Sequence, residues 1–129
     1  MMRPESKYNC VIIDDDINSI QLLKEYVFAL PELSVHATFS NPAAAIKEIK
    51  DRNKVDFLFL DIDMDISGLD IARMLREHVC FIVFVTGHPE HALEAFSVNA
   101  DRYLVKPVSL QKFVMTVNEL QSQHARLNA

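Results

Sequence analysis

Three kinds of side chain in this sequence could do chemistry together: acids at Asp14, Asp15, Asp61 and Asp63, a hydroxyl at Thr86, and an ammonium at Lys106. Most of them follow directly on a short apolar run. Residues 8–13 stop at Asp14-Asp15-Asp16, residues 57–60 at Asp61, residues 80–85 at Thr86-Gly87, and residues 102–105 at Lys106-Pro107. Brought to one place, three carboxylates about 5 Å apart would repel by roughly 3 kcal/mol per pair at an effective dielectric near 20. Such a cluster is stable only when protons or a cation compensate it. Hard oxygen ligands, few in number and with room for water, suit magnesium. A metal and a lysine can neutralise the oxygens of a phosphoryl group, a hydroxyl can hold one of them, and a carboxylate can act as nucleophile. The parts of a phosphoryl pocket are therefore present.

Those parts need a scaffold that collects strand ends. The run Phe57-Leu58-Phe59-Leu60 is continuously apolar, the pattern of a strand buried on both faces of a parallel sheet. Between the strand-like runs lie helical ones. Ile20, Leu23, Val27 and Leu30 recur at helical spacing before Pro31, and Asn41-Pro42 supplies an N-cap and a first-turn proline ahead of Ala45, Ile46 and Ile49. Residues 34–39 alternate and read as a short edge strand. Ser67-Gly68-Leu69-Asp70 resembles a capping box ahead of Leu69, Ala72 and Leu75. A helix is expected over 89–98 with Ala92, Leu93 and Phe96 inward. A last one follows Ser109, carrying Leu110, Phe113, Val114, Val117 and Leu120. Strict strand–helix alternation with right-handed crossovers predicts an α/β fold. The specific expectation is a flavodoxin-like, doubly wound, five-stranded parallel sheet of order 2-1-3-4-5 with five helices, whose ligands bind beyond the carboxyl ends of the strands.

Composition bounds the rest. A chain of 129 residues is expected to form a single domain over 1–129, structured from about 8 to 125. A charged fraction of 24% and a net charge of −5 argue against direct nucleic-acid contact. No apolar run has the length of a membrane span, and the opening Met-Met-Arg-Pro-Glu lacks a signal peptide's apolar region, so a cytoplasmic location is expected. Cys10 and Cys80 read as small buried hydrophobes, with a disulfide left open.

With these motifs in order, the whole chain resembles a response-regulator receiver domain of a two-component system. The resemblance is carried by Ile-Ile-Asp-Asp-Asp, Phe-Leu-Asp-Ile-Asp-Met, Phe-Val-Thr-Gly and Tyr-Leu-Val-Lys-Pro. The segment Thr-Gly-His-Pro-Glu-His-Ala-Leu-Glu-Ala-Phe-Ser-Val-Asn-Ala-Asp-Arg-Tyr is similar to receivers that precede LytTR-type DNA-binding domains. The resemblance implies that Asp61 accepts a phosphoryl group from a sensor histidine kinase. Asp14 and Asp15 would hold Mg2+, with the backbone carbonyl of Asp63 as a further ligand. Lys106 would pair with the phosphoryl oxygens, and its bond to Pro107 would be cis. Thr86 and Tyr103 would form the switch. It further implies an output surface on the fourth helix, fifth strand and fifth helix, used for homodimerisation, and a role in transcription regulation. Because the domain takes phosphate from a donor by itself, it is not counted as an enzyme.

One departure stands out. Such receivers carry proline after the methionine; here Met64 runs directly into Asp65-Ile66-Ser67-Gly68, without that proline and one residue shorter. The departure bears on the loop beside Asp61 and on the lifetime of an acyl phosphate. Asp16 is expected to cap the first helix. His88 and His91, three apart, suggest a metal pair only if a third ligand exists, and none is evident in the sequence. Two alternatives come from other classes. A haloacid-dehalogenase-like phosphatase would use Asp61-Ile62-Asp63, although its acidic metal pair should follow the lysine. A receiver-like interaction module would no longer use phosphate.

Overall fold

Alternation along each strand decides which helices it meets. Cys10 and Ile12 of β1 (Tyr8–Ile13) point to one side of the sheet, and Val11 and Ile13 to the other. The computed structural model describes residues 6–51 and 54–127. Residues 1–5, which carry the argument against a signal peptide, and the polar end at 128–129 lie outside the described residues. After β1 come α1 (Ile17–Phe28), β2 (Leu33–Phe39), α2 (Pro42–Lys50), β3 (Val55–Leu60) and α3 (Gly68–Leu75). Then follow β4 (Val79–Thr86), α4 (Ala92–Ser97), β5 (Arg102–Val105) and α5 (Leu110–Leu127), with 3₁₀ turns at Arg76–His78 and Pro89–His91. The five strands are parallel and ordered β2-β1-β3-β4-β5, as the alternation predicts. No helix among the described residues is long and apolar enough to cross a membrane.

Two cores result. Ile20, Leu23 and Val27 of α1 and Phe113, Val117 and Leu120 of α5 cover Cys10, Ile12, Phe57 and Phe59. Aromatic rings dominate that side: Phe57 lies 5.0 Å from Phe81, and Phe59 5.1 Å from Phe113, centroid to centroid. On the other face Ala45, Ile49, Leu69, Ile71, Ala72, Leu75, Ala95 and Val98 cover Val11, Leu58, Leu60, Ile82 and Phe84. Neither Cys10 nor Cys80 is in a disulfide. Burial pushes the Cys80 thiol up, away from the reactive thiolate.

Capping follows side-chain chemistry. Asp16 accepts from the Asn18 N–H and caps α1, and Asn41 accepts from Ala43 N–H ahead of Pro42. Ser67 caps α3 by accepting from Leu69 N–H. Asp70 does not complete a capping box, because its carboxylate is drawn into an ion pair with Arg73 at 2.7 Å. The fourth helix differs most from expectation. A 3₁₀ turn occupies 89–91, the helix is confined to Ala92–Ser97, and the buried positions are Ala95 within it and Val98 just past its end. Leu93 and Phe96, expected inward, are 83% and 68% exposed, and Leu110 at the head of α5 is also exposed.

The shortened loop after β3 has a steric solution. The Ile62 carbonyl accepts from both Met64 N–H and Gly68 N–H, folding residues 62–68 into a tight turn. That turn presses the start of α3 against the strand end. A Cβ at position 68 would stand 2.0 Å from the Asp61 carbonyl oxygen and 2.9 Å from Ile62 Cα. Only glycine fits, and the backbone it touches carries Asp61. Gly68→Ala should therefore displace that backbone, costing about 1–3 kcal/mol by overpacking. Chemical denaturation checks the loss; an unchanged midpoint would mean the turn is looser than described.

Candidate functional site

The strand ends converge as the topology requires. Asp14 follows β1, Asp61 follows β3, Thr86 ends β4, and Lys106 follows β5. Backbone bonds fix their positions: Asp61 N–H donates to the Ile13 carbonyl at 3.0 Å, and Lys106 N–H to the Thr86 carbonyl at 2.8 Å. The Lys106–Pro107 peptide is cis, as expected. Tyr26 on α1 donates its hydroxyl to the Val108 carbonyl at 2.7 Å, which anchors the loop after Lys106.

Lys106 Nζ donates to Asp14 Oδ2 at 2.8 Å and lies 3.6 Å from Asp61 Oδ2. Asp14 is 1% exposed and Asp61 7%. The remaining oxygens are held by backbone: Asp16 N–H donates to Asp14 Oδ1, and Ile62 N–H to Asp61 Oδ1. Asp15 is exposed at the mouth. One oxygen from each of Asp14, Asp15 and Asp61 lies within 4.8 Å of the others. Thr86 is fully buried, and its hydroxyl has no hydrogen-bond partner among the described residues. A buried hydroxyl left without a partner costs free energy unless a ligand takes it.

One ammonium serves two carboxylates, and the charge balance shows it. Burial pushes the Asp14 carboxyl up, although Lys106 and the Asp16 N–H pull it down. Burial alone would lower the Lys106 amine, but its bond to Asp14 and the charges of Asp14, Asp61 and Asp16 raise it instead. Lysine thus stays charged while Asp14 remains under-compensated. The site has the electrostatic character of a cation pocket lined by hard oxygens.

Asp63 and Tyr103 stand just outside. The Asp63 carboxylate turns away from the acid cluster and meets His88 Nε2 at 2.6 Å, with His91 Nε2 at 3.8 Å. The Glu94 carboxylate, bonded to Nδ1, pushes the His91 imidazole up. Tyr103 is half-buried, packs on Phe84 at 6.2 Å, and donates its hydroxyl to the His88 carbonyl. Sequence reasoning noted the histidine pair but not the acid between them, because their meeting depends on how two loops fold. It also missed Arg76, which bonds Asp101 and the carbonyls of Val79, Cys80 and Asn99, locking the end of α3 to the turn before β5.

An open parallel sheet with an acid cluster, a lysine and an orphaned hydroxyl at its carboxyl edge defines a doubly wound α/β protein built to hold a small charged group there. The response regulator receiver domain model matches residues 10–118, and the chain belongs to that family. It is 33% identical over 116 residues to the sensory transduction protein LytT of Enterococcus faecalis, covering 88% of this chain and 48% of that protein. It is 32% identical over 118 residues to the transcriptional regulatory protein BtsR of Salmonella typhi, covering 90% and 49%. The chain thus spans about half the length of the curated relatives it matches. Among solved structures, the response regulatory domain of mrkE from Klebsiella pneumoniae superposes with a TM-score of 0.83 at 27% identity, covering 92% of this chain and 98% of that one.

The raised Asp14 value carries a stability consequence. Because its folded value lies above the ordinary one, ionised Asp14 subtracts stability, and the loss grows as pH rises through that folded value. Asp14→Asn should raise the melting temperature of the metal-free protein at pH 7, with the gap closing as pH falls into the ordinary carboxylate range. Thermal unfolding across pH measures this; a lower melting temperature at pH 7 would show that the bond to Lys106 outweighs burial.

Proposed function

We propose that this chain is a phosphorylatable receiver: Asp61 accepts a phosphoryl group from a sensor histidine kinase, and the new charge is transmitted to an output surface. The observation that carries the reading is the Asp61 carboxylate facing Lys106 at 3.6 Å, beside the Asp14 and Asp15 carboxylates and the unpartnered Thr86 hydroxyl. Asp61 Oδ2 attacks phosphorus while the bond to the donor's imidazole nitrogen breaks, and the electron pair leaves on that nitrogen. The donor set fits magnesium: Asp14, Asp15 and the Asp63 backbone carbonyl would hold it, and it would supply charge neutralisation to the phosphoryl oxygens. Lys106 would shift from Asp14 toward the phosphoryl group, and Thr86 would donate its free hydroxyl to one oxygen.

The switch we propose couples Thr86 to Tyr103. Filling the Thr86 hydroxyl pulls on the end of β4, one strand away from Tyr103, whose hydroxyl is tethered to the loop that follows Thr86. Beyond it, Leu93 and Phe96 on α4, Val105 on β5, and Leu110 and Met115 on α5 are exposed apolar side chains. They support a homodimer surface on the fourth helix, fifth strand and fifth helix. The greater lengths of the relatives, and the printed role of BtsR as a transcriptional regulatory protein, support a single receiver domain working within a longer transcription regulator. The phosphatase alternative fits less well, because the carboxylates beside Asp61 come from the end of β1, ahead of it in the chain.

Acetyl phosphate with magnesium should add one phosphoryl mass to the intact protein, and Asp61→Asn should abolish the adduct. Persistence of the adduct in that variant would move the acceptor elsewhere; its absence from the wild-type protein would favour the phosphate-independent module. With beryllofluoride and magnesium, the monomer–dimer balance should shift toward dimer by sedimentation. Phe96→Glu should weaken that dimer at least tenfold while leaving the mass adduct intact, and an unaffected dimer would place the interface on another face.

A further inference from the structure

The loop that begins with Lys106 is held at two points. At its start the Lys106 N–H donates to the Thr86 carbonyl at 2.8 Å. Two residues on, the Val108 carbonyl accepts from the Tyr26 hydroxyl at 2.7 Å, across 82 positions of sequence. That length is the ordinary one for a well-formed O–H···O bond. Tyr26 is itself fixed. Its ring stands 5.5 Å from that of Phe113, centroid to centroid, and Phe113 stands 5.1 Å from Phe59 in the aromatic core. A half-buried tyrosine so placed packs through its ring and fixes a partner through its hydroxyl.

Packing alone does not set the position of this loop. A cavity of about 340 Å³ opens between α1 and the loop, and its lining includes Asn18, Leu22, Leu23, Lys106, Pro107 and Val108. A close-packed neighbour resists displacement of a chain, whereas a cavity does not. Pro107 has no N–H to serve as a further anchor. The Val108 side chain is buried, but apolar burial is non-directional and fixes depth rather than orientation. The bond from Tyr26 supplies the direction.

We propose that Tyr26 is a positioning residue for phosphoryl transfer: its hydroxyl, through the Val108 carbonyl, seats residues 106–108 so that the Lys106 ammonium reaches the acid cluster. The role rests on the reading of Asp61 as phosphoryl acceptor. Lys106 Nζ lies 2.8 Å from Asp14 Oδ2 and 3.6 Å from Asp61 Oδ2, so small movements of the loop change which oxygens it can meet. Misplacement by about 1 Å, even from a distant change, can cost on the order of 100-fold in rate. Tyr26 makes no bond to Asp14 or Asp61 among the described residues, and acts through Lys106. The proposed magnesium ligands are held separately. Asp14 N–H donates to the Phe39 carbonyl, and Asp14 Oδ1 accepts from Asp16 N–H. Loss of the Tyr26 hydroxyl therefore separates phosphoryl rate from metal affinity.

The test is Tyr26→Phe, which keeps the ring against Phe113 and removes only the hydroxyl. Phosphoryl incorporation from acetyl phosphate at saturating magnesium is followed by intact mass on the whole chain. Calorimetry gives magnesium affinity on the same samples, and unfolding curves check the fold. The rate constant should fall about tenfold, magnesium affinity should stay within twofold of wild type, and the backbone amide signals of Lys106 and Val108 should shift. An unchanged rate in the folded variant overturns the role. A rate and a magnesium affinity that fall together also overturn it, because that is the pattern of general loosening. Wild-type protein that takes up no phosphoryl group refutes the acceptor reading, and the role falls with it; the wild-type adduct tells the two failures apart.

Discussion

One ammonium shared by two buried carboxylates is the constraint around which this molecule is arranged. Lys106 can bond Asp14 fully or sit between Asp14 and Asp61, but it cannot neutralise both. The sheet tolerates that imbalance because it is rigid. Asp61 is fixed by Ile13, Lys106 by Thr86, and Asp14 by Phe39, each through a main-chain hydrogen bond. A pocket short of positive charge, held in place by strands that cannot relax, has the electrostatic character of a cation site.

Rigidity behind the pocket contrasts with exposure in front of it. Behind lie the aromatic cluster of Phe57, Phe59, Phe81 and Phe113 and the Arg76–Asp101 lock. In front, the loops after β3 and β4 meet through Asp63 and His88, both half-exposed. Gly68 links the two regimes, because the short loop can close only where a residue without Cβ lies on the Asp61 carbonyl. The departure from the usual proline-containing loop is thus accommodated by packing, with Asp61 kept in register at the strand end.

The outward turn of Leu93 and Phe96 shows how local chemistry can mislead. An apolar stripe in a short helix reads as core-facing, yet a 3₁₀ turn takes up Pro89–His91 and the helix that follows turns Leu93 and Phe96 outward. The core is then filled by Ala95 and Val98, and the larger side chains are left on the edge beside β5. An apolar edge of this kind is the feature expected of a face that meets another surface.

Much of the fold was readable in the chain because strand periodicity and helix capping are local. Residues 57–60 announce a buried central strand, Asp16 and Asn41 announce helix starts, and each polar residue after an apolar run announces a strand end. The candidate acids, Thr86 and Lys106 follow from that pattern alone. What no local pattern could decide is which groups share partners across the sheet and between loops. That Lys106 bonds Asp14 more closely than Asp61, that Thr86 is left without a partner, and that Asp63 turns to His88 and His91 all depend on distances between segments far apart in sequence. Those distances are set by the stacking of five strands and the closure of two loops, and so only the tertiary structure decides them.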